Sequence, residues 1–272
     1  MKRVFILGTA VSSALISTPA YAERVTDKGW IQAGLFRPSF DSDVQVSLPN
    51  GPVEGTQINL ETDLGMAKHK NIAQIEAGVR LTPRLRLEGG YIALKRKTAH
   101  ELERDILWED TLYPAHADIG SGVETDIFRV ALGYSLLKND HAEMGVRLGA
   151  HITHFDMFIE GSAMVGGQPA GQRRERKNKT LPLPNVGVFA NVDISPVFSV
   201  HGGANYFALK IDDKKGKLVD LSAGVSARLA PHIGIGARYR YVDYSLRVRD
   251  DDWRGKVDYR FYGPALFVEA AF

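Results

Sequence analysis

A chain of 272 residues with no cysteine, 34 Lys+Arg against 32 Asp+Glu and a mean hydropathy of −0.16 excludes several classes of protein at the outset. Without thiols there is neither a disulfide framework nor a thiolate metal site, and so even a charge balance gives no footing for nucleic acid. After the first residues no stretch approaches the ~20 apolar side chains that a membrane-crossing helix needs.

Lys2 and Arg3 open the chain, Val4 to Ile16 follow as an apolar run, and Ala20-Tyr21-Ala22 has the small-x-small form of a cleavage site. Residues 1–22 are therefore predicted to be a secretory signal peptide, with 23–272 as the mature chain. Cleavage removes two of the 34 basic residues and none of the 32 acidic ones, so the mature chain is formally neutral.

From there period-two alternation dominates, the signature of β-structure. Trp30 to Phe36 opens a first strand that continues toward Val46, and a long connection through Pro49-Asn50-Gly51-Pro52 follows, with a short strand allowed at Gln57 to Glu61. Ile72 to Leu81 is the second strand, and Thr82-Pro83-Arg84 turns into a third from Leu85. A loop from Thr98 to Asp118 follows, in which Asp105 to Trp108 has the character of a rim strand. The fourth strand sets Phe128, Val130, Leu132, Tyr134 and Leu136 against Arg129, Ala131, Gly133 and Ser135. After Lys138-Asn139-Asp140 the fifth sets Met144 to Ile152 outward against Glu143, Arg147 and His151. Gly161 to Lys179 is predicted to be a long loop, and Val186 to Ile194 the sixth strand. Ser195-Pro196 turns into the seventh, Val197 to Lys210; Val219 to Leu229 is the eighth, and Ala230-Pro231 leads to the ninth, Ile233 to Leu246. The tenth, Lys256 to Phe272, alternates in one phase through Val257, Tyr259 and Phe261 and in the other through Leu266, Val268 and Phe272. A phase slip at Gly263-Pro264 predicts a bulge there.

Ten strands joined by short turns alternating with longer polar links give the asymmetry of an outer-membrane barrel. The strands are long enough to cross a bilayer when tilted, and Tyr91, Tyr134, Tyr206, Tyr239, Tyr241 and Phe272 suit interfacial girdles. With the terminal Phe272 closing an alternating strand, the mature chain resembles the small OmpA/OmpW-like barrels of the Gram-negative outer membrane. The resemblance implies an all-β, antiparallel up-and-down barrel of ten strands forming one domain over 23–272 in the outer membrane. It further implies assembly by the barrel assembly machinery acting on Phe272, outer-membrane lipid and lipopolysaccharide as surroundings, and a monomer. Nothing in it implies a cofactor, a metal or a nucleic-acid partner.

Strand parity points a charged set into the lumen: Arg86, Glu88, Arg129, Glu143, Arg147, Asp193, His201, Arg228, Arg238, Arg240, Asp258, Arg260 and Glu269. Basic residues predominate, which allows an anion-attracting channel. A barrel of about this strand number is, however, just wide enough for side chains to fill, and buried charges need partners, so the expected state is a lumen largely filled by ion pairs. His151 and His154, three residues apart, point to opposite faces of a regular strand and do not form a metal pair. The rim hydrolases built on such barrels leave Asp126, His154, Asp156 and Asp243 as candidates, without a nucleophile paired to a base. The basic run Arg173, Arg174, Arg176, Lys177 and Lys179 could bridge lipopolysaccharide phosphates or be a solvated loop, and Asp250-Asp251-Asp252 could share a divalent cation with the same lipid. The leading expectation is a filled barrel with a structural or surface-interaction role; a narrow channel for small solutes and a rim hydrolase are the alternatives.

Overall fold

The structure is a computed structural model that describes residues 24–48, 51, 53–211, 214–249 and 254–272. The signal peptide expected over 1–22 and the acidic run Asp250-Asp251-Asp252 lie outside the described residues. Among the described residues a single 3-10 turn, Arg24–Thr26, precedes fourteen strands. They are β1 (Gly29–Phe36), β2 (Ser39–Ser47), β3 (Ile58–Asn59), β4 (Ile72–Arg80), β5 (Leu85–Glu101), β6 (Ile106–Trp108), β7 (Thr111–Tyr113), β8 (Asp118–Lys138), β9 (Ala142–Val165), β10 (Gln168–Asp193), β11 (Phe198–Ile211), β12 (Lys214–Ala230), β13 (Ile233–Arg249) and β14 (Arg254–Ala271).

All pairings are antiparallel, and β1 against β14 closes the ring. β1 and β2 act as one strand bent at Arg37-Pro38: Trp30 to Phe36 pair with Ala271 to Ala265, and Ser39 to Ser47 with Tyr262 to Arg254. Counting them as one, the barrel has ten strands, with β3, β6 and β7 as short additions at one end. Four short connections lie together with the turn Arg24–Thr26 and with Phe272. Side chains close those turns onto the backbone: Leu85 N donates to Thr82 Oγ1 at 3.0 Å, Ala142 N to Asn139 Oδ1 at 2.7 Å and Phe198 N to Ser195 Oγ at 2.9 Å. At this turn end Lys28 N and Gly29 N donate to Phe272 O at 2.7 and 2.9 Å, locking the last residue onto β1.

The polarity of the wall inverts halfway up. Near the turn end the outward side chains are apolar and exposed, among them Leu35, Ile75, Leu87, Leu132, Leu148, Val188, Val225, Ile235 and Leu266. Such a belt around a polar interior is the surface of a sheet that crosses a bilayer. Toward the loop end the interior is apolar instead: Phe36, Phe40, Ile92, Leu94, Val123, Ile127, Phe155, Ile159, Val242, Tyr259 and Phe261 form one buried cluster. The connection after β2 folds into that cluster through Ile58, Leu60, Leu64 and Met66, and the connection after β5 through Leu102, Ile106, Trp108 and Tyr113.

This inversion corrects two expectations. β14 has no bulge at Gly263-Pro264; its register with β13 is unbroken, and the odd residues from Val257 to Ala271 face inward throughout. The apparent phase slip arises because the interior is apolar above Gly263 and the exterior is apolar below it. Gly263 is required for another reason: a Cβ there would lie 2.3 Å from the carbonyl oxygen of Arg37, where the bent partner strand comes closest. Nor is Gly161 to Lys179 a loop. β9 runs on to Val165 and β10 starts at Gln168, joined through Gly166-Gly167 with φ of 57° and 77°, values that glycine adopts without strain in a two-residue hairpin.

Candidate functional site

The polar half of the lumen holds three linked clusters. In the first, Glu76 on β4 receives Arg129 (2.5 Å), Arg240 (3.1 Å) and Arg238. Arg238 Nη2 also donates to Gln32 Oε1 at 2.8 Å, and Gln32 Nε2 to Glu269 at 2.5 Å. Arg240 forks onto Asp220 (3.1 and 2.5 Å), whose other neighbour is His151 Nε2 at 3.5 Å; the second nitrogen of that ring lies 3.0 Å from Tyr244 Oη. In the second cluster Glu143 accepts both terminal nitrogens of Arg80 (2.7 and 2.6 Å) and lies 3.5 Å from Arg86. Glu88 bridges Arg86 (2.7 Å) and Arg147 (2.9 Å), and Phe189 packs under the Arg86 guanidinium, 3.5 Å from its ring centroid. The third closes the turn end: Arg228 binds Asp27 at 2.5 Å, Arg80 Nη2 donates to Val25 O at 2.8 Å, and Val25 N donates to Asp193 at 3.1 Å. Val25 is thereby buried under the lumen by the N-terminal turn.

The arginines named in these clusters number seven (80, 86, 129, 147, 228, 238, 240) and the carboxylates also seven (27, 76, 88, 143, 193, 220, 269). Within these clusters of described residues cations and carboxylates balance, where parity alone suggested a basic excess. Two of the residues assigned inward, Asp258 and Arg260, face outward, because β14 keeps its parity where a bulge was expected. Asp258 accepts from Ser245 Oγ at 2.6 Å and Arg260 lies 3.1 Å from Asp41, both on the outer wall. Glu76, Asp220, Asp27 and Arg80 were absent from the set. The signal was there for two of them: Asp220 lies between the outward Val219 and Leu221, and Glu76 between Ile75 and Ala77. His201 is buried with Arg238 Nε 3.4 Å away. Among these side chains lies a cavity of about 140 Å³, lined at the turn end by Asp27 and Lys28.

Of the hydrolase candidates, Asp126, His154 and Asp156 lie together on the outer wall while Asp243 stands apart, and Asp156 is held by Arg176. Asp126 and His154 are cross-strand neighbours on the outer wall, where Asp126 accepts from Tyr91 Oη at 2.7 Å and His154 Nδ1 lies 2.9 Å from Thr180 Oγ1. Asp243 stands on β13, 3.6 Å from Arg260. His151 is buried in the lumen while His154 is on the outside, so no site joins them.

The basic run divides by parity. Arg174 and Arg176 face outward, bonded to Glu160 (2.8 Å) and Asp156 (2.8 Å), and Lys177 reaches Glu109 at 2.7 Å. Arg173 is exposed, and Lys179 pairs with Phe155 in the ladder, on the inner side of the wall. Next to this row Lys95 and Lys97 hold Glu124 at 3.2 and 3.0 Å, and Phe158 carries the Arg174 guanidinium 4.1 Å from its centroid. The hydrogen bond from Arg176 holds the Asp156 carboxyl below its ordinary range, and those from Lys97 and Lys95 do the same to Glu124. The result is a band of cation–carboxylate pairs directly above the apolar belt and Tyr91.

Residues 8–261 match the family described as outer membrane protein beta-barrel domain. No protein of curated function matches the chain. Among solved structures, the outer membrane protease OmpT from Escherichia coli is similar over 94% of this chain and 100% of its own, at 12% identity and a TM-score of 0.56. The toluene transporter TodX from P. putida gives 95% and 94% coverage, 10% identity and a TM-score of 0.39. Ail, the attachment invasion locus protein of Yersinia pestis, gives 89% and 99%, 12% and 0.32. At 12% identity the likeness to OmpT speaks to the fold alone.

Proposed function

Because the chain belongs to the outer membrane protein β-barrel domain family, we propose that it is a closed barrel whose role is structural or surface-interacting, and that it does not conduct. The observation that carries this reading is the occupied lumen: a balanced ion-pair network in the membrane half, an apolar core built partly from two external connections above it, and the N-terminal turn below. A conducting path would have to break charge pairs that are costly to leave unmatched in a dry space. The purified protein in planar bilayers is expected to show small or no conductance. Replacing Arg147, Arg238 and Arg240 together by Ser removes bulk and leaves Glu88, Glu76 and Asp220 short of cations, so any conductance gained should favour cations. Large, stable steps from the unmodified protein would replace the closed barrel with a narrow channel.

Lipopolysaccharide is the lipid partner this reading supplies. The outward Lys95, Lys97, Arg174 and Arg176 stand just above the apolar belt, which on this reading puts them level with the outer-leaflet phosphates, and phosphate oxygens can exchange with the carboxylates that now hold those cations. Protein extracted in mild detergent should carry bound lipopolysaccharide, and the double variant Lys95→Ser/Lys97→Ser should carry less. Equal amounts on both would remove this partner.

A further inference from the structure

β10 is 26 residues long but has a strand on both sides only near the turn end. Its ladder with β9 extends from Gln168 to Val192, whereas its ladder with β11 stops at Val186 opposite Tyr206. Beyond Tyr206, β11 pairs only with β12, from Phe207 opposite Leu218 to Ile211 opposite Lys214. The direction of the unpaired backbone groups is fixed by two bonds at the base of the strand. Asp193 N donates toward β9, to His141 O at 2.7 Å, and Ile194 N toward β11, to Phe198 O at 3.0 Å. Since the register with β9 has no shift between Gly171 and Val192, the even-numbered residues from Gln172 to Pro184 all turn their backbone groups to the open side.

Two prolines occupy the first two of those positions above Val186. Pro184 and Pro182 have no N–H, so β11 cannot continue its ladder past Tyr206 and the wall stays open there. Above them the donors are intact: Gln172, Arg174, Arg176, Asn178 and Thr180 present N–H and C=O in strand geometry. Over residues 172–180 the strand carries Arg173, Arg174, Arg176, Lys177 and Lys179 against the single acid Glu175. Asp156 and Glu160, which bond two of these cations, stand one strand behind on β9. An added strand would lie directly beside the cations.

We propose that the upper edge of β10, Gln172 to Thr180, takes an extended acidic segment of another protein as an added strand. Backbone pairing supplies the affinity and the flanking arginines and lysines choose the sequence. A second copy of this chain does not suit the edge, because antiparallel self-pairing would set basic residues opposite basic residues. The charges that keep two copies apart are the ones that admit an acidic strand. The proposal deepens the surface-interaction reading above by naming a class of partner.

The test uses the full-length protein in detergent micelles and two synthetic peptides of about ten residues, one alternating Thr and Glu, the other Thr and Lys. The Thr/Glu peptide should slow amide hydrogen exchange across residues 172–180 by roughly tenfold at saturation, and the Thr/Lys peptide should leave it unchanged. Asn178→Pro, which deletes one edge donor without touching the ladder to β9, should weaken Thr/Glu binding roughly fivefold. Asn178→Ala, which keeps the donor, should bind as the wild type; heat-modifiable migration on gels confirms that both variants fold. Equal protection by both peptides, undiminished binding by Asn178→Pro, or protection that rises with protein concentration alone would overturn the proposal. Bilayer conductance is read separately: silent bilayers without peptide binding remove the edge and leave the closed barrel standing, and large conductance with peptide binding does the reverse.

Discussion

Glu76→Gln should lower the stability of the folded barrel by about 3–5 kcal/mol, the cost of removing one partner from a buried charge cluster. The substitution keeps the shape and takes away one negative charge. Arg240 retains its fork onto Asp220 and Arg238 retains Gln32, but Arg129 loses the only carboxylate it bonds among the described hydrogen bonds. The side chains concerned are 7% to 16% exposed, so bulk water offers little compensation. The neighbouring cavity of about 140 Å³ has room for a few water molecules, which places the expectation toward the lower end of that range. Urea unfolding in lipid vesicles, followed by tryptophan fluorescence, measures the loss. In Glu76→Gln/Arg129→Met the stranded cation is gone, so the double variant should recover part of the stability, and the cycle gives the coupling. A loss below about 1 kcal/mol would show that the cluster is solvated as surface pairs are.

That cluster also shows what the sequence made legible and what it hid. Ten strands could be read because short turns alternate with long links and because Leu132, Leu148 or Val188 mark one face by period two. The inward direction of Arg129, Glu143 and Arg147 follows from the same parity. Glu76 and Asp220 obey it too, but they stand in β4 and β12 where neighbouring Ala and Gly dilute the alternation. The differences have one physical cause: apolar side chains do not face outward at every height. In the loop-end half they face inward, so Val257, Tyr259 and Phe261 looked like a phase slip and Asp258 and Arg260 like lumenal charges. The upper parts of β9 and β10 looked like a loop for a related reason, since both faces of residues 168–181 are largely polar.

The short strands within the two connections were legible, at Gln57 to Glu61 and Asp105 to Trp108, but the way these connections fill the top of the barrel was not, because what fixes them is remote in sequence. Arg96, only 2% exposed, bonds Glu61 and donates to Ser42 Oγ at 3.0 Å, with its guanidinium 4.1 Å from the centroid of Phe40. Ser42 N in turn donates to Glu61 at 2.9 Å, which pins the segment after β2 to the inner wall. A buried arginine between aromatic rings gives no local pattern; only the closed ring brings Phe40, Glu61 and Arg96 together.

The inversion of polarity makes the effect of a new charge depend on both height and face, and β8 and β9 allow the contrast to be drawn on adjacent strands. Leu132 is exposed in the middle of the apolar belt, between Leu87 on β5 and Leu148 on β9. Leu132→Arg should therefore cost about 2–4 kcal/mol, the price of a guanidinium facing lipid near the bilayer midplane. Ile127, inward and 2% exposed in the upper core, has no carboxylate among the apolar side chains packed with it, so Ile127→Arg should be as damaging for a different reason, an unpaired charge in a packed interior. Phe158, outward but above the belt and beside Arg174 and Lys97, stands where the wall already carries charge. Phe158→Arg gives up the ring contacts with Arg174 and Lys97 but meets no lipid, so it should cost no more than about 1 kcal/mol. Folded yield in vesicles and urea midpoints rank the three. Were Phe158→Arg to prove as costly as Leu132→Arg, the lipid boundary would lie higher on the wall than the apolar belt puts it; were Leu132→Arg tolerated, the outward belt would not be facing lipid.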